Sequence, residues 1–276
     1  MKKKSVFLRI SGGIGNQLFQ YSYGLAQAKR SGQSTQLKIL AFYQNQFLFS
    51  GKKYSATREL RLVKLLGKQN DTNICNDKAN FILDKLLRYR FFRNKVLRSL
   101  YLRLTGDLIL DGYFQNQEEF SLSKTILTDL QELYRKNNER MNCFSSNCAI
   151  HVRAGDLLNQ PWNQLCDKSY YSAAIDYMIT NFKITHFDVI SENEEYAKSL
   201  MPDIDGIVIK ILPPGDEVSD FVSLADHPYI ICANSTFSWW AAVLGGALYF
   251  CSPEYFYRPG DKPGKFDNEH CIAYLR

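Results

Sequence analysis

The chain has 276 residues, 45% of them hydrophobic, which excludes a disordered chain and suits two modest domains or one large one. Its net charge of +6 admits an anionic partner but is too small an excess to imply nucleic acid. The seven cysteines (Cys75, Cys143, Cys148, Cys166, Cys232, Cys251 and Cys271) are scattered, with no Cys-x-x-Cys, which fits reduced cytosolic thiols better than a disulfide framework or a zinc site. The basic opening, Met1 to Lys4, is followed by an apolar run of Val6-Phe7-Leu8 that Arg9 cuts short, so it does not read as a signal peptide. No apolar stretch reaches the length of a membrane span, and the expected location is cytoplasmic.

Ser5 to Ile10 reads as a first strand. Ser11-Gly12-Gly13-Ile14-Gly15-Asn16 is a glycine-rich turn, and Gln17 to Lys29 a helix that Gly32 stops. Strand, glycine turn and helix make an anion site when the free amides of the helix start face a phosphate. The same pattern also serves close packing of a strand on a helix. The spacing is not the dinucleotide fingerprint, because Leu18 stands where a third glycine belongs, which counts against a nicotinamide dehydrogenase. Gln33 to Asn80 is interrupted by polar residues and reads as loops and short helices. From Lys85 to Leu104 the chain carries seven cations and no acid, with leucines and aromatics between them. That is a basic amphipathic helix, suited either to an anionic membrane surface or to packing its apolar face on the core. Leu108-Ile109-Leu110 reads as a strand that exits through Asp111-Gly112-Tyr113-Phe114-Gln115-Asn116, and Ile126 to Asn138 as a polar helix. The polar stretch from Asn137 to Asn147 marks the boundary between halves, giving domains 1–142 and 143–276.

The second half opens on Ala149-Ile150-His151-Val152-Arg153-Ala154-Gly155-Asp156, a buried strand running into a tight loop. A helix follows over Ser169 to Asn181, with Tyr170, Ala173, Ala174, Tyr177 and Met178 on one side. Phe187 to Ile190 is a strand, and Ser191-Glu192-Asn193-Glu194 matches a capping box that opens the next helix. Gly206 to Leu212 is a strand ended by Pro213-Pro214-Gly215. Phe221 to Leu224 belongs to a short helix, and Tyr229 to Ala233 to a strand. Asn234-Ser235-Thr236-Phe237-Ser238 caps a helix through Trp239 and Trp240, Gly245-Gly246 stops it, and Ala247 to Phe250 is one more strand. This alternation argues a parallel sheet with helices on both faces. The first half begins the same way, so the fold class is α/β with two Rossmann-like halves.

In such sheets ligands bind beyond the carboxyl ends of the strands. Arg153 is placed there, and a guanidinium is the cation best matched to phosphate. The plainer alternative is a core strand followed by a surface Arg–Asp pair. Asn234-Ser235-Thr236 adds a hydroxyl-rich helix start. Phe237, Trp239 and Trp240 follow, the two tryptophans more often core than ligand contacts. Together these read as a site for a nucleotide diphosphate. Asp203-Ile204-Asp205 has the spacing of a metal clamp but precedes a strand instead of following one, so Arg153 is expected to replace the metal on the leaving diphosphate.

Four stretches carry a family resemblance. The run from Gly12 to Tyr21 resembles the amino-terminal signature of the family 11 glycosyltransferases, the α-1,2-fucosyltransferases. His151-Val152-Arg153-Ala154-Gly155-Asp156 resembles their His-x-Arg-Arg-x-Asp motif. Ala233 to Trp240 resembles their third signature, and Gly112-Tyr113-Phe114-Gln115 matches a further family stretch. The resemblance implies a GT-B architecture, two Rossmann-like domains facing across a cleft, with 1–142 on the acceptor side and 143–276 binding a GDP-sugar. It implies an inverting, metal-independent and cofactor-free transfer of L-fucose from GDP-fucose to the 2-hydroxyl of a galactose-terminated saccharide, in O-antigen or surface-polysaccharide synthesis. A donor such as GDP-colitose is the alternative, as is a GDP-sugar-binding module without turnover. A metal-dependent transferase using Asp203 and Asp205 is a further alternative.

By the same resemblance Arg153 grips the donor diphosphate and His151 and Asp220 lie near guanine. Asn234, Ser235, Thr236 and Phe237 line the phosphate and nucleoside side, while Gly13, Gly15 and Asn16 approach from the first domain. Asp111 and Asp156 are the candidate bases at strand exits, Asp156 serving equally well as a structural partner. The sequence departs from the family at Ala154, where a second arginine is usual, and at Glu192-Asn193, where an aspartate pair is usual. The acceptor is expected to be lipid-linked, with residues 85–104 resting on the inner face of a bacterial inner membrane.

Overall fold

The computed structural model describes residues 4–32, 35–41, 60–67, 72–74, 106–138, 146–154, 165–254 and 262–273. The basic helix expected over 85–104, the expected boundary segment from 139 to 145, and Gly155 and Asp156 lie outside them. The chain divides into two units, residues 1–114 with 119–126, and residues 115–118 with 127–276.

In the first unit β1 (Ser5–Ile10) is buried at Ser5, Val6, Phe7, Leu8 and Ile10, as its apolar run requires. Helix α1 (Ile14–Ser31) starts three residues earlier than expected, directly after Gly13, so Gly15 and Asn16 stand in its first turn. Gly12, at φ 83°, makes the sharp turn that permits this early start. Gly32 is the cap at the far end, as expected. Strands β2 (Gln36–Ala41) and β3 (Thr72–Ile74) and the short helix α2 (Leu62–Leu66) fall where loops and short helices were expected. In β2 the alternation of buried Leu37 and Ile39 with Lys38 is a period-two pattern hidden by its polar flanks. With β4 (Leu108–Leu110) these strands form an all-parallel sheet in the order β3-β2-β1-β4.

Helix α3 (Gln117–Ser123), not anticipated from the sequence, runs into a 3₁₀ turn over Lys124–Ile126. Helix α4 (Leu127–Asn137) follows. Although α4 precedes residue 142, it packs in the second unit. Tyr134 meets Phe221 edge-on at 6.3 Å, and Gln131 Nε2 donates to the Val243 carbonyl at 2.7 Å.

The second unit is built on β5 (Cys148–Val152), whose five residues are all buried. It continues with α5 (Lys168–Phe182), β6 (His186–Ser191), α6 (Glu194–Leu200), β7 (Val208–Ile211) and α7 (Glu217–Ala225). Then come β8 (Tyr229–Ile231), α8 (Thr236–Gly245), β9 (Tyr249–Pro253) and β10 (Glu269–Ile272). The six strands are parallel in the order β10-β9-β8-β5-β6-β7. The α/β class with two Rossmann-like sheets is therefore as expected, and in this sheet the order reverses between β5 and β8.

Several local expectations are corrected. Helix α5 buries Tyr171 and Ile175 beside Tyr170, Ala174 and Met178, while Ala173 is exposed. The capping box does not form. Ser191 stays in β6, and Asn193 caps α6 by accepting from the Tyr196 amide at 2.9 Å. Gly246 alone ends α8, in the left-handed region; Gly245 is inside the helix, packed on the end of α7. A Cβ at Gly245 would stand 2.9 Å from the Ala225 Cα and closer still to its carbonyl oxygen, and backbone cannot step aside. Gly245→Ala gains about 1 kcal/mol of helix propensity, but overpacking costs about 1–3 kcal/mol. The expected outcome is a net loss of up to about 2 kcal/mol, measured as an earlier midpoint in chemical denaturation. Among the described residues no helix is long and apolar enough to cross a membrane.

Candidate active site

At the reversal point of the second unit, the exit of β5 carries His151 and Arg153, and the exit of β8 carries Asn234, Ser235 and the start of α8. Two adjacent tyrosines on α5 hold these exits. Tyr171 Oη donates to the His151 carbonyl at 3.1 Å and Tyr170 Oη to the Cys232 carbonyl at 2.6 Å. Both rings are about 1% exposed. A buried phenol needs a partner. Here the partners are backbone carbonyls at the carboxyl ends of β5 and β8.

His151 is 6% exposed, and its Nδ1 has no hydrogen-bond partner. Burial and the neighbouring Arg153 push its pKa down to about 3, so the ring is uncharged at neutral pH. It offers one donor and one acceptor, the usual complement for a heterocyclic base edge. The Phe237 ring lies 5.2 Å from the imidazole, and Phe221 meets Phe237 edge-on at 5.4 Å. One side of the histidine is thus walled by aromatics.

Arg153 is ion-paired with Glu192 at the exit of β6. Its side chain is 19% exposed against 45% for Glu192, so the guanidinium is the more enclosed partner. Asp220, in α7, accepts the Gly215 amide at 3.0 Å. Desolvation pushes its pKa up, and Asp216 and Glu192 push it further. Glu192 therefore acts on both Arg153 and Asp220. It was not among the residues singled out beyond its departure from the family pattern. Its signal was its position after a strand, the same criterion that selected Arg153.

Ser235 caps α8 by accepting from the Phe237 amide at 3.2 Å, so its oxygen already holds one of the helix amides expected to face an anion. Trp239 and Trp240 are fully buried, core residues as their type favours. Ala154, where the family has a second arginine, is also fully buried.

The structure thus brings together His151, Arg153, Glu192, Asp220 and Phe237, with Asn234, Ser235 and Thr236 at the adjoining strand exit. Gly13, Gly15 and Asn16 belong to the first unit, at the reversal point of its own sheet between β1 and β4. There the signature glutamines are ties. Buried Gln20 accepts from the Ser11 amide at 2.9 Å and donates to the Gly112 carbonyl at 3.1 Å, joining the exits of β1 and β4. Gln17 joins the Gly12 carbonyl to the Arg61 amide, at 2.9 and 3.0 Å. Asp111 is ion-paired with Arg9 at 3.0 Å. Asp203 and Asp205 lie in the loop entering β7, at its amino end. Among the described residues no cluster of three or more His, Cys, Asp or Glu could hold a metal ion.

The Escherichia coli alpha-1,2-colitosyltransferase is 26% identical over 264 residues, 87% of each chain. The Escherichia coli O-antigen biosynthesis glycosyltransferase WbnK is 22% identical over 267 residues, 85% of this chain and 88% of that one. The crystal structure of fucosyltransferase NodZ from Bradyrhizobium aligns with a TM-score of 0.46 at 15% identity, over 88% of this chain and 94% of that one. The family model described as Glycosyl transferase family 11 matches residues 2–250. That span takes in the glycine turn after β1 and both strand exits that carry the site, and the chain belongs to glycosyl transferase family 11.

Proposed function

We propose that the chain transfers a 6-deoxysugar from its GDP derivative to the 2-hydroxyl of a galactose-terminated saccharide, without a metal and with inversion. The second unit holds the donor and the first unit the acceptor. The observation that carries this reading is the convergence of Arg153 with uncharged His151 at one strand reversal, next to the start of α8. Arg153 takes the diphosphate, and the orphaned Nδ1 of His151, walled by Phe237, takes the base with Asp220 nearby.

The reaction is a single displacement. The acceptor oxygen attacks the anomeric carbon while its bond to the GDP oxygen breaks, and charge grows on the departing diphosphate. Arg153 and the amides opening α8 meet that charge in an enclosed setting, where fixed donors act most strongly. Arg153 is thereby the catalytic group on the donor side. Asp111 and Asp156 are the candidate bases for the acceptor hydroxyl, a role worth about 10²–10⁴-fold.

Two donors are in play. The resemblance favours GDP-fucose, and the 26% identical relative is named as a colitosyltransferase. Colitose lacks one ring hydroxyl that fucose has. A pocket that hydrogen-bonds this hydroxyl rejects the deoxygenated donor by about 10⁴-fold, whereas a merely apolar wall discriminates about 10²-fold. The test is GDP release from each donor with galactose-terminated acceptors in EDTA. Acceptor-dependent release undiminished by EDTA is expected, and the ratio of the two rates reads the pocket. A second reading, a binding module without turnover, rests on Ala154. GDP binding with no release from either donor on any acceptor would point to that module or to a different GDP-deoxysugar.

A further inference from the structure

The stretch Gly112-Tyr113-Phe114-Gln115 matches the family yet has no part in the donor site. It leaves β4 at the carboxyl edge of the first unit's sheet, beside the exit of β1, where the strand order reverses. That edge is where α/β sheets take their ligands.

The turn treats its two aromatics in opposite ways. Phe114 has φ 54°, the left-handed region that bulky residues avoid. Its ring lies flat on Tyr23, centroids 4.3 Å apart and planes 11° apart. Gly112 makes room for it, since a Cβ there would stand 3.2 Å from the Phe114 ring. The Gly112 carbonyl is held by Gln20 at 3.1 Å, and Asp111 by Arg9 at 3.0 Å. Pinned at Asp111, Gly112 and Phe114, the turn presents Tyr113 outward, 52% exposed. Backbone strain persists where the surroundings over-determine it, and it gathers at ligand sites. An ordinary surface tyrosine needs no strained neighbour to keep it out.

We propose that Tyr113 is the stacking platform of the acceptor sugar. An aromatic face carries negative potential, and the C–H groups of a pyranose face carry the complementary partial charge. In galactose the axial 4-hydroxyl leaves C–H groups grouped on one face of the ring, the shape a single aromatic covers. The exposed Arg9–Asp111 pair beside it supplies donors and acceptors for hydroxyls at the ring edge. This inference rests on the reading of the chain as a transferase to a galactose-terminated saccharide.

The test uses lactose as the probe, with saturation-transfer NMR and titration on the full chain and on Tyr113→Ala and Tyr113→Trp. Transfer to the galactose ring protons is expected for the full chain and the tryptophan variant and is lost in the alanine variant, with lactose binding about 2- to 12-fold weaker. Thermal melting checks that the variants fold. An alanine variant that matches the parent, or a parent that shows no transfer from lactose, overturns the platform. Failure of the functional reading is separate: it is the absence of acceptor-dependent GDP release by the parent chain.

Discussion

Glu269→Ala lowers the melting temperature of the second unit by roughly 6–20 °C, the expected result of leaving one buried charge without its partner. Glu269 is fully buried and Lys262 is 7% exposed. The ammonium stands 2.5 Å from Oε1, and it also donates to Ser252 Oγ at 2.6 Å and to the Pro253 carbonyl at 2.8 Å. Glu269 accepts from Trp239 Nε1 at 3.3 Å, from the Phe266 amide at 3.1 Å, and from the Ser252 hydroxyl. One carboxylate thus joins edge strand β10 to β9 and to the core tryptophan of α8. Removing one partner of a buried pair costs about 3–5 kcal/mol, a large share of a total stability of about 5–15 kcal/mol. Replacing both charges by apolar residues is a different experiment, because it also removes the desolvation penalty. Lys262→Met with Glu269→Leu is expected to lose less than half of what the single variant loses. A double variant as unstable as Glu269→Ala would place the energy in the hydrogen bonds and not in the orphaned charge. Calorimetric melting of the three proteins decides it.

This network also marks where the sequence becomes hard to read. Strands β5, β6 and β8 were legible because apolar β-branched runs have few other ways to bury themselves, whereas β9, which has no β-branched residue, was read two residues too early, from Ala247. Strand β10 was not legible, since Glu-His-Cys-Ile looks polar until Lys262 is known to lie against Glu269. Strand β2 was hidden by its polar flanks; α4 was legible as a helix, but its place in the second unit was not, because its packing partner α8 lies about a hundred residues further on. In the site, His151 and Arg153 were legible from their position at a strand exit. Tyr170 read as part of one helix side and Tyr171 was not singled out, because their hydroxyl partners are backbone carbonyls that no pattern of side chains reveals. Gln17 and Gln20 were quoted as part of a signature, but their role as ties between turns depends on buried amides finding partners. Glu192 stood out as a departure from a family pattern, and only the fold puts its carboxylate on Arg153.

That pairing shapes the other large expected effect. Arg153→Ala is expected to lower acceptor-dependent GDP release by about 10²–10³-fold, the usual cost of removing one enclosed donor from a developing anion. The loss has two parts. The cation is gone, and Glu192, no longer neutralised, adds its repulsion to that of Asp220 next to an anionic donor. Arg153→Ala with Glu192→Gln separates them, and recovery of part of the loss measures the repulsion. Arg153→Lys keeps the charge without the fork and is expected to fall between. Glu192→Gln alone is the control. The Glu192 side chain is 45% exposed, so its pair contributes little to stability, and freeing the guanidinium leaves GDP binding equal or tighter. GDP titration and initial rates on the four variants check this. A Glu192→Gln protein that loses as much as Arg153→Ala would mean that the ion pair shapes the strand exits and that Arg153 does not touch the diphosphate.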